Sequence, residues 1–494
     1  MKKLLAAALA SAVILTAGVS VAAGTGQARR LSPYDSTNQE CVRVSEKLVV
    51  WRERDYTQLP YWVEYWCALV RDTNTLIKLP DLPEPYEWTS FSFETSVFFY
   101  NNWNRQGYLY DVLTGETRRL PIPKSRQTST TTWSHFEDLQ NGYLFHILTN
   151  WPKDRRVYRV YDLAGGGETI LHVEDSIRTD LGSTLPSCTK LSESVRYMAW
   201  IDRGDPSGDL TYVKDLVTGE VRAVDGDATW MVVTDYLVAR LTSDGQVIVT
   251  DLSTWEDTCL STKGYPWYPN VAAWGPRVAW SDEGYGERLQ LLIHDARTGS
   301  TTRLAPSPNT QQIVDIYEDA VAWVDTIEGF PRFRSWAMII EDAPPTAPLT
   351  VAPTPAAPTI PVLTLRLAVG SNLMTCEENG EVTSVTLQAA PRYGPGGRVY
   401  VPIRPVVEAF GGRITWDEVE RKVTIEAGST LELWIGRPTA VLDGVEVAID
   451  PASAAVNPFI GPEGYTLLPL RFIAESLLAT VDWVTEDQSI VITY

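Results

Sequence analysis

The chain has 494 residues, of which 44% are hydrophobic and 21% charged, so it can build about two to four folded domains and is not disordered as a whole. Its 62 acidic residues outnumber its 42 lysines and arginines and give a formal net charge of -20, which argues against a duplex-binding protein that neutralises phosphates. Glycine (33) and proline (32) are frequent and histidine (4) is scarce, which is typical of a turn-rich exported protein.

Residues 1–28 are predicted to be a signal peptide. Two lysines precede an apolar run over residues 4–17, which is too short to be a comfortable membrane span. Val21 and Ala23 fit a cleavage site, with Ala28 as the alternative. We therefore expect an exported protein, either secreted or associated with the cell envelope, with no membrane span in the remaining chain.

A short hairpin pattern recurs through residues 31–342. Asp111, Asp215 and Asp295 each follow a strand of alternating apolar residues and open a turn that contains Thr-Gly. Glycine supplies the positive φ that a tight hairpin turn needs, and the aspartate can accept hydrogen bonds from turn amides. Weaker copies begin at Asp72, Asp162 and Asp251.

A second apolar strand, ending on a large aromatic or apolar residue, precedes each hairpin. Its clearest copies end at Trp51, Trp200, Trp280 and Trp323, and weaker ones lie near Phe98, Phe145 and Val238. Periods of about 40–50 residues with about four short strands each predict a β-propeller, whereas stacked sandwiches would not predict this recurrence. We expect about seven blades, with six as the alternative, and a closing strand within residues 31–43.

The units resemble the blades of secreted bacterial propellers, in which a V-A-W strand precedes Y-D-x-x-T-G-E. The tryptophans of that frame are expected to pack between blades. Trp62, Trp66 and Trp103 lie outside the frame, beside tyrosine, asparagine or arginine, and are candidate ligand contacts. Aromatic faces next to polar side chains suit sugar rings or protein partners, although packing within wide blade interfaces is the alternative for each.

Residues 343–361 are predicted to be an interdomain linker. They contain seven prolines in nineteen residues and no charge, a composition that favours an extended spacer over a folded core. An internal loop is the weaker alternative, because the sequence pattern differs on the two sides. We expect residues 31–342 and 362–494 to fold separately.

The C-terminal part, residues 362–494, contains an internal duplication at an offset of 67 residues. Residues 399–417 are echoed by 466–484, with Pro402, Arg404, Glu408 and Trp416 superposed on Pro469, Arg471, Glu475 and Trp483. In each copy proline opens a short helix, arginine and glutamate form an i,i+4 pair, and a two-stranded ribbon follows. Gly411-Gly412 ends the first helix, and Leu478-Ala479 replaces it in the second.

These motifs resemble the copper amine oxidase N-terminal-like domain, a small α+β module. The resemblance implies an accessory, stalk-like role, since in the parent oxidases this module is remote from the copper and the quinone. The catalytic features of those enzymes are missing, because the chain has no Asn-Tyr dipeptide and residues 362–494 contain no histidine. The four histidines are scattered without ligand spacing, so we expect no metal, no other cofactor and no amine oxidase activity.

The five cysteines show no CxxC spacing, which excludes a zinc ribbon or a thioredoxin-like site. Export permits disulfides, and Cys41 with Cys67 is the nearest pair, but the sequence does not decide whether it forms.

The sequence favours a non-enzymatic exported binding protein, with the propeller as an interaction platform and the stalk-like module attached to it. Strong negative charge disfavours anionic polymers, so the expected partner is a cell-surface protein or a neutral glycan. The competing class is an extracellular hydrolase or polysaccharide lyase with its active site in the propeller depression. No GxSxG, HExxH or P-loop motif supports that class, and the sequence leaves the oligomeric state open.

Overall fold

The computed structural model describes the chain over the following ranges: 28–31, 37–55, 63–122, 132–140, 142–150, 155–164, 168–174, 187–202, 210–224, 226–261, 271–283, 288–318, 320–327, 334–341, 350–485 and 487–494. Several sequence predictions fall outside these ranges. They are residues 1–27 of the predicted signal peptide, residues 32–36 of the expected closing strand, Trp62, and residues 343–349 of the predicted linker.

Within these ranges the protein is mainly β, as predicted, with 43 strands and two short α-helices. The strands up to residue 352 are β1 (Arg29–Arg30), β2 (Thr37–Val44), β3 (Leu48–Asp55), β4 (Val63–Val70), β5 (Thr75–Lys78), β6 (Tyr86–Phe93), β7 (Ser96–Asn101), β8 (Gly107–Asp111), β9 (Thr117–Arg119), β10 (Thr132–Gln140), β11 (Tyr143–Asn150), β12 (Arg155–Asp162), β13 (Glu168–Glu174), β14 (Ser187–Leu191), β15 (Tyr197–Asp202), β16 (Leu210–Asp215), β17 (Val221–Val224), β18 (Trp230–Val233), β19 (Leu237–Leu241), β20 (Val247–Asp251), β21 (Asp257–Cys259), β22 (Val271–Trp274), β23 (Arg277–Asp282), β24 (Gln290–Asp295), β25 (Ser300–Arg303), β26 (Thr310–Tyr317), β27 (Ala320–Ile327), β28 (Arg334–Glu341) and β29 (Thr350–Ala352).

These strands form the four-stranded antiparallel meanders that are characteristic of propeller blades. Counting β2 to β5 as one meander, the described residues contain seven, which is the number favoured from the repeats. The chain divides into two units, which are described in turn. Unit one comprises Met1–Glu64, Arg71–Asn74 and Pro186–Leu349, and unit two comprises Tyr65–Val70, Thr75–Leu185 and Thr350–Tyr494.

In unit one the closing strand is β1, which differs from the prediction. Arg29 pairs with Ile339 and Arg30 with Met338, so β1 completes the sheet of β26, β27 and β28. The expectation of a closing strand within residues 31–43 was wrong, because β2 pairs with β3 and belongs to the next meander. A strand of two residues is too short to show an alternating apolar pattern in the sequence. Its position is set instead by the unpaired backbone groups at the edge of β28.

The predicted hairpin turns form through their aspartates. The backbone N–H groups of Val217 and Thr218 donate to Asp215 Oδ1 at 2.8 and 2.9 Å, and Gly219 takes a φ of 78°. The same pattern of bonds is present at Asp111. The recurring aspartates are therefore turn residues, as the sequence indicated.

The frame tryptophans are mostly core residues. Trp51, Trp280 and Trp323 are fully buried, and Trp280 packs with apolar residues from the sheets β18–β21 and β22–β25. Trp200 is only half-buried and stacks on Tyr212 with ring centres 5.6 Å apart. Packing between adjacent sheets is thus confirmed for Trp280, whereas Trp200 lies nearer the surface.

In unit two, part of the predicted linker is ordered against the blades. Strand β29 pairs in parallel with β5, placing Thr350 opposite Thr75. Farther along the segment, Tyr110 Oη donates to the carbonyl oxygen of Ala356 at 2.7 Å. The boundaries at 343–361 stay a prediction, but residues 350–356 are tied to strands β5 and β8.

The C-terminal module follows in the same unit. Its elements are β30 (Thr364–Ala368), β31 (Leu373–Glu378), β32 (Glu381–Thr386), β33 (Arg392–Tyr393), β34 (Val399–Val401), α1 (Arg404–Ala409), β35 (Arg413–Asp417), β36 (Lys422–Glu426), β37 (Thr430–Trp434), β38 (Thr439–Leu442), β39 (Val445–Ala448), β40 (Phe459–Ile460), β41 (Thr466–Pro469), α2 (Leu470–Ser476), β42 (Thr480–Val484) and β43 (Ser489–Thr493). Helix α1 with β35 and β36 is repeated by α2 with β42 and β43, and the two copies meet where β34 pairs with β41.

The two short helices end alike despite their different sequences. Gly411 takes a φ of 75°, and Leu478, its counterpart at an offset of 67, takes a φ of 67°. Each donates its backbone N–H to the backbone carbonyl oxygen of the glutamate three residues earlier. The second copy therefore keeps the left-handed ending without glycine, at a steric cost for leucine.

The module packs directly on the blade strands of unit two. Arg119 Nε of β9 donates to Glu378 Oε1 at 2.6 Å. From β12, the fully buried Arg159 reaches Glu168 Oε1 at 3.0 Å and Glu426 Oε2 of β36 at 3.7 Å. A Cβ atom added at Gly411 would clash with the carbonyl oxygen of Pro121. The contact between blade and module is therefore close and partly ionic.

The cysteines and the helices can be compared with the predictions made from the sequence. Cys41, Cys259 and Cys376 carry free thiols, so the bridge considered for Cys41 is absent. In the part of the chain that the structure describes, no helix is both long and apolar enough to cross a bilayer.

Candidate functional site

The structure separates the tryptophans predicted to contact a ligand. Trp66 lies on β4 and is half-buried, whereas Trp103 lies in the turn after β7 and is 70% exposed. The backbone N–H of Trp103 donates to Asn101 Oδ1 at 2.8 Å, which fixes the turn. Trp62 lies outside the described residues. No described ring contact joins Trp66 to Trp103, so their role in one site stays a prediction.

Two other exposed tryptophans lie in the C-terminal module. Trp416 on β35 and Trp483 on β42 are 37% and 38% exposed. In the sequence they served only to mark the duplication. The recurrence of a tryptophan at the same strand position in both copies could have indicated a surface role. The sequence analysis did not use this signal.

A cavity of about 650 Å³ lies beside Trp483, and we call it the α2 groove. The start of α2, the ribbon strand β42, the segment around β33 and β34, and the loop after β39 form its walls. Its volume falls within the range of about 300–1,000 Å³ found for small-molecule sites. The residues that matter most for its chemistry are Tyr393, Arg398, Asp450, Phe472, Asp482 and Trp483.

Aromatic rings line one side of the α2 groove. Tyr393 is 56% exposed, and its ring centre lies 6.4 Å from that of Trp483, with the ring planes inclined at 55°. Phe472 of α2 is half-buried in the same lining. The groove therefore presents flat apolar faces that are open to solvent.

Most of the charges in the α2 groove are paired. Arg398 Nε donates to Asp450 Oδ2 at 2.7 Å, and Arg471 Nη1 lies 3.2 Å from Glu475 Oε1. The hydrogen bond from Arg398, supported by the backbone N–H of Ala452, lowers the pKa of Asp450. The carboxylate of Asp450 is therefore ionised at neutral pH.

The first copy of the duplication has a smaller counterpart, the α1 groove, of about 230 Å³. Trp416 holds the place of Trp483, but its indole N–H donates to Glu418 Oε2 at 2.7 Å. Tyr465, in the lining, corresponds to Arg398 at an offset of 67. The two grooves share a framework and differ in their polar groups.

Residues 377–492 match the family model for the copper amine oxidase N-terminal domain. The C-terminal module is a copper amine oxidase N-terminal domain. The match includes the duplicated segment and the rings of both grooves, and it covers less than half of the chain. It confirms the resemblance drawn from the repeated helix and ribbon.

Solved structures resemble the chain only distantly. An oligogalacturonate lyase in complex with manganese is 12% identical, with 64% of this chain and 93% of that one covered and a TM-score of 0.39. A puromycin hydrolase is 15% identical, with 72% and 61% covered and a TM-score of 0.42. The β-propeller domain of the Trilobed protease from Pyrococcus furiosus is 9% identical, with 64% and 100% covered and a TM-score of 0.36. No curated protein matches the chain. At these TM-scores the activities of those proteins say nothing about this chain. The assignment of the sheets as propeller blades depends on the strand pairing alone.

The copper in the name of the copper amine oxidase N-terminal domain belongs to its parent enzymes. A copper centre needs a cluster of suitable donors, chiefly imidazole nitrogen. Across the described ranges, no three His, Cys, Asp or Glu side chains come together as a metal site. The residues present in this domain therefore do not fit a copper centre, and no chemistry is derived through one.

Proposed function

We propose that this protein is an exported, non-enzymatic binding protein that acts at the cell surface, where it holds a neutral glycan or a protein. In this proposal the blades serve as a platform and the copper amine oxidase N-terminal domain attaches to them as a binding module. The observation that carries it is the α2 groove, with open aromatic faces and mutually paired charges. Such surfaces favour recognition by stacking and hydrogen bonds.

The charge distribution argues against an anionic partner. The net charge of -20 would repel anionic polymers over a Debye length of about 8–10 Å at physiological salt. Within the α2 groove two arginines are offset by three carboxylates, so the lining offers an anion no excess of positive charge.

The electrostatics of the groove also support a binding role over a hydrolytic one. A glycosidase needs one carboxyl group with a raised pKa to act as a general acid. The pKa of Asp450 is lowered instead, because Arg398 donates to it. The lining of the α2 groove contains no serine, cysteine or histidine that could act as a nucleophile or base.

Co-sedimentation of the mature full-length chain with a purified bacterial cell-wall and envelope preparation tests this proposal. We expect retention of the wild-type chain and weaker retention of Trp483→Ala. Trp103→Ala tests the blade surface in the same assay. Val419→Ala, at a position 94% exposed and outside both grooves, is the control and should bind like wild type. Absence of any wild-type retention would refute the proposal.

A further inference from the structure

We infer that the α2 groove, and not the α1 groove, binds a neutral oligosaccharide whose sugar rings stack on Trp483 and Tyr393. This inference rests on the proposed function and assigns its ligand class and its site. It follows from three observations: the aromatic faces, the free hydrogen-bonding groups, and the loss of those hydrogen-bonding groups in the first copy.

The aromatic faces are placed for an extended, ringed ligand. Tyr393 and Trp483 come from β33 and β42, so two different sheets hold them. With ring centres 6.4 Å apart and planes inclined at 55°, they offer adjacent but differently oriented faces. The apolar C–H face of a pyranose packs on such rings, while its hydroxyl groups remain free for hydrogen bonding.

The polar groups of the α2 groove complement hydroxyl groups. Arg398 uses Nε for Asp450, which leaves its two terminal nitrogens to donate, and its side chain is half exposed. Asp482 is exposed in the lining and offers carboxylate oxygens as acceptors. No described residue accepts from the indole N–H of Trp483, which is therefore available to a ligand. The lining of the α2 groove therefore offers both donors and acceptors to sugar hydroxyl groups.

The balance of charge disfavours an acidic sugar. Arg398 and Arg471 are each paired with a carboxylate, so neither contributes an uncompensated positive charge. An acidic sugar would have to displace Asp450 or Glu475 and would also approach Asp482. A neutral sugar meets neither cost.

The α1 groove has aromatic rings of its own, Trp416 and Tyr465, but it lacks these polar groups. The indole N–H of Trp416 is committed to Glu418, and Arg404 Nη1 donates to the carbonyl oxygen of Ile414 at 3.2 Å. Tyr465 replaces the donor Arg398. Asp450 has no equivalent, because the offset of 67 falls at Thr383 within β32. The smaller volume and the internal hydrogen bonds leave little for a ligand.

The duplication therefore supplies a matched control for the experiment. Calorimetric titration of the mature chain uses two neutral hexamers, cellohexaose and N-acetylated chitohexaose, with an acidic hexagalacturonate and the deacetylated, cationic chitohexaose for comparison. We expect one site per chain for at least one neutral hexamer and weaker binding of hexagalacturonate. Trp483→Ala should weaken that binding about fivefold, whereas Trp416→Ala should change it less than twofold.

Tyr393→Ala gives a second route if Trp483→Ala does not fold, and Trp483→Phe should recover most of the affinity because it keeps a stacking face. Melting temperatures of the variants separate ligand contact from structural damage. Equal losses in Trp483→Ala and Trp416→Ala would overturn the inference, as would preference for a charged hexamer. Envelope retention without binding of either neutral hexamer would overturn it and leave the proposed function standing, whereas loss of all retention would refute both.

Discussion

The buried arginine between blade and module gives the sharpest test of how unit two is held together. Arg159 on β12 is fully buried, and its guanidinium lies 3.0 Å from Glu168 and 3.7 Å from Glu426. Replacing it by methionine keeps an unbranched, largely apolar side chain but removes the guanidinium that lies against these two carboxylates. Burial already raises the pKa of Glu168, and the charge of Arg159 opposes this effect.

Breaking a buried pair from one side typically costs about 3–5 kcal/mol, because the remaining charge is left uncompensated. Arg159→Met should therefore destabilise unit two by about that amount. At roughly 2–4 °C per kcal/mol for a domain of 150–250 residues, the melting temperature should fall by roughly 6–20 °C. Glu426→Gln should cost less, because its oxygen lies farther from the guanidinium.

The matched control removes all three charges together. Arg159→Met combined with Glu168→Gln and Glu426→Gln should recover most of the lost stability, since neutral replacements of a buried ionic cluster are often tolerated. Urea unfolding followed by tryptophan fluorescence and circular dichroism measures each variant. If Arg159→Met costs less than about 1 kcal/mol, or if the triple variant is no better than the single one, the ionic account of this contact is refuted.

Three other predictions concern a partly buried glutamate, the tryptophans of the blades, and the copper content of the protein. Burial raises the pKa of Glu193 to about 7, so its stabilising contribution should decline as pH rises from about 4.5 to 7. Glu193→Gln should flatten the melting temperature between pH 5 and 8, and an unchanged slope would contradict this. Trp280→Ala should cost about 3–5 kcal/mol because its side chain is fully buried, whereas Trp103→Ala should cost under about 0.5 kcal/mol, both by urea titration. Metal analysis of the purified chain should find no stoichiometric copper. One tightly held copper per chain would contradict the conclusion that the described residues do not fit a copper centre.

The sequence by itself determined the local and periodic features. The Asp-x-x-Thr-Gly turns were readable because their hydrogen bonds close within three residues, as at Asp215. The duplication was readable because helix, ribbon and tryptophan recur at a constant offset, which brings Trp416 and Trp483 into equivalent positions. Both features depend on neighbours in the chain, so residue order alone specifies them.

Only the tertiary structure distinguished the two halves of that duplication. Trp416 and Trp483 carry the same sequence signature, yet a loop from another hairpin places Asp450 beside one groove and nothing equivalent beside the other. The closing strand β1 and the burial of Arg159 were likewise hidden, because their partners lie far away in sequence. Contacts of this kind depend on which sheets meet in space, and short-range patterns do not encode that choice.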